Sequence, residues 1–265
     1  MKKLKFRYYM KLEFSEEVSE HRFTLRCIPR TTDRQKIERL ETDIFPNQFI
    51  CEQTDSFGNA MIYGYTKEKH KRFYFDVRGE AVVGVELFEK EINPQKTGLF
   101  KYQTVLTRPG DGLMNYYTSL ELKRYEKEKS VKKRAEYIMN CLSRDFSYQK
   151  GVTGIATTAE DAWNRHQGVC QDYSHIMLSL CRMNGIPCRY VTGMLCGEGM
   201  SHAWVEVCED EKWYGLDPTN QMLVEDGHIK ISVGRDYNDC IVNQGVFIGT
   251  ANQKQDILVD VEEMR

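Results

Sequence analysis

The chain of 265 residues carries 37 Lys and Arg against 39 Asp and Glu, with 41% hydrophobic and 29% charged residues. That length supports a packed core without disulfide or metal staples, and a formal net charge of −2 supplies no field to hold nucleic acid or an anionic membrane. Nine cysteines, odd in number and scattered, do not suit a disulfide framework in a chain of this size.

The segment Met1–Tyr9 is basic but has no apolar stretch behind it, and no apolar run approaches transmembrane length. The expectation is a cytoplasmic protein with reduced thiols. Up to about residue 110 the dominant signal is period two, as in Arg22–Ile28 and Lys71–Arg78, where apolar and polar positions alternate. Turn residues separate such runs, for example Thr54–Asn59 ahead of Ala60–Tyr65. An N-terminal antiparallel β-sandwich or barrel is expected, ending at the Gly-containing bend Arg108–Gly112.

Helical periodicity follows. The stretch from Glu121 to Glu136 is rich in Lys and Glu, and Val131, Ala135, Ile138 and Leu142 recur at helical spacing. The interleaved charges read as a solvated helix face rather than a binding patch. Thr158 is placed as the N-cap of a second helix and Gly168 as its end. Cys170 opens a third, whose apolar Ile176, Met177, Leu180 and Cys181 mark it as a core helix, with Gly185 and Pro187 past its end. Three strand-like runs follow, Arg189–Thr192, His202–Val207 and Trp213–Asp217.

One constellation carries chemistry: Cys170 at a helix start, His202 at the start of a strand and Asp217 at the end of the next. A helix N-terminus offers unpaired N–H groups and a positive dipole end, which favour a thiolate and can hold an oxyanion. A hairpin turning near Glu209–Lys212 brings His202 and Asp217 to the open ends of neighbouring strands. The carboxylate can there orient an imidazole that takes the thiol proton, which completes a set of groups for acyl transfer. Asp172 and Tyr173 on the first turn, and Trp163 and Trp204, are weighed as cleft residues or as helix-start charge and core. His166 and His175 are read as structural. Cys181, Cys188, Cys196 and Cys208 contain no Cys-x-x-Cys pair, so no metal site is expected of them. No phosphate loop, dinucleotide turn, His-Glu-x-x-His or Gly-x-Ser-x-Gly motif is present.

Four local segments, Gly168–Tyr173, Gly185–Gly193, Ser201–Val207 and Trp213–Asn220, closely resemble the motifs of the transglutaminase-like superfamily, in order. The similarity covers about residues 130 to 220, and Val233–Asp239 resembles the tail segment of the bacterial branch. The resemblance implies an α+β architecture in which an N-terminal β domain, residues 1–118, precedes a papain-like catalytic domain, residues 119–265. It implies Cys170 as nucleophile, His202 as general base and Asp217 as the group that orients it. Asp172, Tyr173, Trp204 and Arg235 become candidate substrate contacts. The expected activity is cysteine-dependent hydrolysis of a peptide or protein amide through a thioester, with no cofactor. The alternatives are transfer of a glutamine acyl group to an amine, or a binding module without activity. No calcium-loop pattern is present, and oligomeric state is open.

Overall fold

A computed structural model describes residues 1–122, 130–197 and 199–264. The chain begins with a long strand, β1 (Lys2–Leu25), in which Leu4, Phe6, Tyr8, Met10, Leu12 and Phe14 are buried at every second position. This is the period-two signal acting as expected. There follow β2 (Gln35–Phe45), β3 (Phe49–Thr54), β4 (Ala60–Thr66) and β5 (His70–Val83). The turn between β3 and β4 is set by Asp55, whose carboxylate accepts from the N–H groups of Phe57 (2.9 Å) and Asn59 (3.0 Å).

A short strand, β6 (Glu89–Lys90), and a 3-10 turn at Pro94–Lys101 lead to α1 (Asp111–Ser119). Three N–H groups at its start, of Gly110, Gly112 and Leu113, donate to Glu160. The helix α2 (Val131–Asp145) starts at the Ser130 cap, so the helix expected from Glu121 onward begins ten residues later. Residues 123–129 of that stretch lie outside the described residues. After β7 (Ser147–Tyr148) comes α3 (Ala159–Arg165), capped by Thr158 as expected. Its end differs: His166, at φ 54°, takes the left-handed position assigned to Gly168. The segment β8 (Gln167–Gly168) then runs straight into α4 (Cys170–Met183).

The second sheet is built from β9 (Cys188–Leu195), β10 (His202–Glu209), β11 (Lys212–Asp217), β12 (Met222–Leu223) and β13 (His228–Gly234), in the antiparallel order β12-β11-β10-β9-β13. One face of β10, formed by Ala203, Val205 and Val207, packs with Ile176, Met177 and Leu180 of α4. On the opposite face Glu206, Arg189, Lys230 and Glu89 form a buried ion network. Arg189 reaches Glu206 at 2.7 Å and Glu89 at 3.0 Å, and Lys230 reaches Glu206 at 2.9 Å. Buried charges persist only when paired in this way.

The last strands, β14 (Asn243–Ile248) and β15 (Gln253–Glu263), correct the expected division of the chain. They pair not with the second sheet but with β1, in the seven-stranded first sheet of the described residues. The N-terminal half of β1 lies between β5 and β15, and its C-terminal half between β4 and β14. The sheet is curled around its own core, as expected of a barrel-like β domain. Residues 243–263 therefore belong to that domain and not to the one that holds Cys170.

The two sheets are joined through the edge strand β13. Its outer side would present bare N–H and C=O groups, and side-chain amides fill them. Gln35 bonds both the N–H (2.7 Å) and the C=O (2.8 Å) of Lys230, while Asn59 does the same at Val233 (2.8 and 2.7 Å). Ile229 and Ile231 of β13 share the core of the first sheet. No helix among the described residues is long and apolar enough to cross a membrane.

Candidate active site

The turn that presents Cys170 is held by Asp172. Its carboxylate accepts from the Val169 N–H (2.7 Å) and the Thr153 hydroxyl (2.7 Å), which occupies one of the unpaired donors at a helix start. Gly168 is required here for space rather than for turning: a Cβ on it would lie 2.5 Å from an Asp172 oxygen and 2.6 Å from the Asp172 Cβ. Gly168→Ala is expected to displace this carboxylate. A loss of about 1–3 kcal/mol in a urea melt, with slower alkylation of Cys170, would show it; a neutral substitution would mean that the turn tolerates the shift.

The β10–β11 hairpin turns at Asp210 and Glu211, both at positive φ, and pairs Glu209 with Lys212 and Val205 with Leu216. The Asp217 side chain thereby reaches diagonally to His202, whose Nε2 lies 2.7 Å from Asp217 Oδ2. A carboxylate only accepts, so this Nε2 carries the proton. Cys170 acts on the same ring, and with Nε2 held by Asp217, Nδ1 is the nitrogen left to exchange a proton with it. Cys170 is half-exposed, while His202 and Asp217 are buried. The structure thus brings together the three residues named from the sequence.

Asp217 is densely held. Oδ1 accepts from the N–H groups of Thr219 (3.0 Å) and Asn220 (3.2 Å), and Oδ2 also accepts from the Asn220 side chain at 2.9 Å. Burial alone would raise its pKa, but His202 and the other donors outweigh it and hold the carboxyl well below the usual carboxylate range. Burial likewise opposes charge on His202, yet Asp217 and Cys170 overcome it and raise the imidazole to about 10. A positive ring is therefore present next to the sulfur at neutral pH.

The other candidates sit elsewhere. Asp172, Tyr173 and Trp204 are 1%, 4% and 1% exposed, so their expected contact with substrate gives way to support from below. Tyr173 donates to the Phe146 carbonyl at 2.7 Å. Trp204 packs with Val191, Val224 and Val233 on the sheet face away from α4. Trp163 stacks on Tyr116 with ring centroids 4.0 Å apart. The Arg235 guanidinium is paired with Asp239 at 2.8 and 3.0 Å. His175 accepts from the Tyr237 N–H at 3.2 Å, and burial lowers it to about 3, which makes it a neutral structural acceptor.

One residue escaped sequence reasoning. His228, first in β13, places Nε2 3.2 Å from Asp217 Oδ2. Its signal was slight, a lone His opening an apolar-rich strand. Among the described residues His202, Asp217 and His228 have ligand atoms within 4.8 Å of one another, a donor set that zinc could accept. Here both Nε2 atoms are engaged in hydrogen bonds to the carboxylate, and an ion would have to break them.

Comparison with known proteins places this geometry. Residues 119–218 match the transglutaminase-like superfamily, and residues 4–82 match the bacterial transglutaminase-like N-terminal region. The segment that holds Cys170, His202 and Asp217 thus matches the transglutaminase-like superfamily. It is similar to an uncharacterised protein of Mycobacterium leprae, 26% identical over 90% of this chain and 91% of that one. An uncharacterised Mycobacterium tuberculosis protein is 28% identical over 88% of this chain and 84% of the other. A crystal structure of a candidate cysteine protease from Cytophaga hutchinsonii superposes with a TM-score of 0.77 at 21% identity, covering all of this chain and 92% of that chain. This likeness shows that the two share a fold, with the transglutaminase-like core joined to its β domain.

Proposed function

We propose that this transglutaminase-like protein is a cysteine-dependent amide hydrolase acting on peptides or proteins. The observation that carries the reading is His202 held at Nε2 by Asp217, 2.7 Å away, with Cys170 acting on the same ring. His202 Nδ1 holds the proton of the thiol, and the sulfur attacks the substrate carbonyl as a thiolate. N–H groups of the first turn of α4 receive the developing oxyanion. The C–N bond breaks as His202 returns the proton to the leaving amine. Water, deprotonated by His202, then attacks the thioester and releases the acid and the free thiol.

The test is a peptide library offered with a labelled primary amine, read by mass spectrometry. Peptide cleavage or deamidation without incorporation of the amine, together with a thioester on Cys170, supports hydrolysis. Incorporation of the amine would assign a transglutaminase instead. Limiting iodoacetamide should label Cys170 ahead of Cys51 and Cys196, the other half-exposed cysteines; preference for either of those would sink the proposal.

A further inference from the structure

The hydrogen bonds around Asp217 reach one side chain that the proposed chemistry does not use. His228 has a fully buried ring, and its Nε2 faces the same Asp217 oxygen that holds His202. Because the carboxylate can only accept, His228 must offer Nε2–H. We infer that His228 is a positioning residue that fixes Asp217 against His202, and that through it the N-terminal β domain sets the geometry of the active site.

Three features hold His228 in place. Its ring packs edge-on against Trp204, with centroids 5.2 Å apart and an interplanar angle of 75°. Trp204 is itself blocked at Gly193, where a Cβ would meet the indole at 2.3 Å. The third feature is a grip from outside the core. Consecutive residues of the β domain hold the backbone on both sides of His228: Arg34 donates to the carbonyls of Val224 and Glu225, and Gln35 bonds both backbone groups of Lys230. A shift of β13 would therefore move the donor on Asp217.

The charged and titratable groups facing His228 are Asp217, His202 and Arg34. Burial, His202 and Arg34 disfavour a second proton on the ring more than Asp217 favours it, and its Nδ1 has no hydrogen-bond partner among the described residues. A neutral donor is what the position needs, since a second cation beside His202 would repel its imidazolium.

This inference rests on the proposed function, so the test reads position and reactivity separately. In the intact protein, the His202 Nε2–H proton should be visible by NMR as a resonance protected from exchange with water. His228→Leu should remove or broaden that resonance and slow Cys170 alkylation by roughly tenfold or more. His228→Gln, which keeps an N–H donor of similar reach, should restore both to near the starting values. Gln35→Leu frees β13 without touching the site and should slow alkylation severalfold. An unchanged resonance in folded His228→Leu, or no rescue by Gln, overturns the positioning role. An unchanged rate in Gln35→Leu overturns the coupling to the β domain. Should His228→Leu not fold, His228→Asn replaces it, its shorter amide falling short of Asp217. If Cys170 proves unreactive in the unsubstituted protein the hydrolase reading fails, while the resonance still reports on His228.

Discussion

Cys170→Ala should abolish turnover and thioester formation, lowering the rate by roughly 10⁴-fold or more, with little change in thermal stability. The thiol is half-exposed at the start of α4, and removing it empties no core site. The seven cysteines other than Cys170 and Cys51 differ in depth: Cys27, Cys141, Cys181, Cys188, Cys208 and Cys240 are buried, and only Cys196 shares Cys170's partial exposure. Burial pushes the thiols of Cys27 and Cys208 up, to about 12 and about 11, which makes them poor nucleophiles at neutral pH. Residual labelling in Cys170→Ala should therefore fall on Cys51 and Cys196. A fall in melting temperature of many degrees, with residual turnover intact, would recast Cys170 as a structural thiol.

Asp217→Asn should be nearly as damaging to the rate, by about 10⁴-fold, and should cost stability as well. The two histidines share one carboxylate oxygen and the Thr219 and Asn220 N–H groups share the other, so an amide must turn its NH2 onto donors on one side or the other. With the NH2 toward the histidines, His202 must change tautomer and Nδ1 can no longer hold the thiol proton; with it toward the turn, the bonds that fix residue 217 are lost. The effect on stability has a defined pH dependence. His202 is raised from 6.5 to about 10, so its contribution is fully present below pH 6.5 and is lost as the pH rises through 10. Asp217 is depressed from 3.8, so its contribution is present above that value and lost as the pH falls below it. Urea melts should show the intact protein most stable between about pH 4 and 6.5, with stability declining toward pH 10. In Asp217→Asn the alkaline decline should flatten. A decline of equal size in both proteins would separate His202 from Asp217.

Much of the site was legible in the sequence because the relations that build it are short. A Cys opening a helix, a Thr158 cap and a tight turn between Glu209 and Lys212 depend on residues three to four positions apart. With these fixed, the pairing of β10 with β11 delivers Asp217 to His202. Local pattern misled where two residues could serve the same purpose. His166 rather than Gly168 ends α3, because Gly168 is needed where the Asp172 carboxylate closes on the backbone.

The sequence by itself determined which residues alternate between core and solvent in β1 and β5, where α3 and α4 begin, and which His and Asp share one end of a sheet. Only the tertiary structure decided that β14 and β15 return to β1, that Glu206 and Lys230 are charges buried in a network, and that Gln35 and Lys230, 195 positions apart, share two hydrogen bonds. The physical reason is that period two tells a strand which face to bury but not which edge to pair. His228 belongs to that second class: nothing near it in the chain marks it, and its place beside Asp217 exists only once β13 has docked on the β domain.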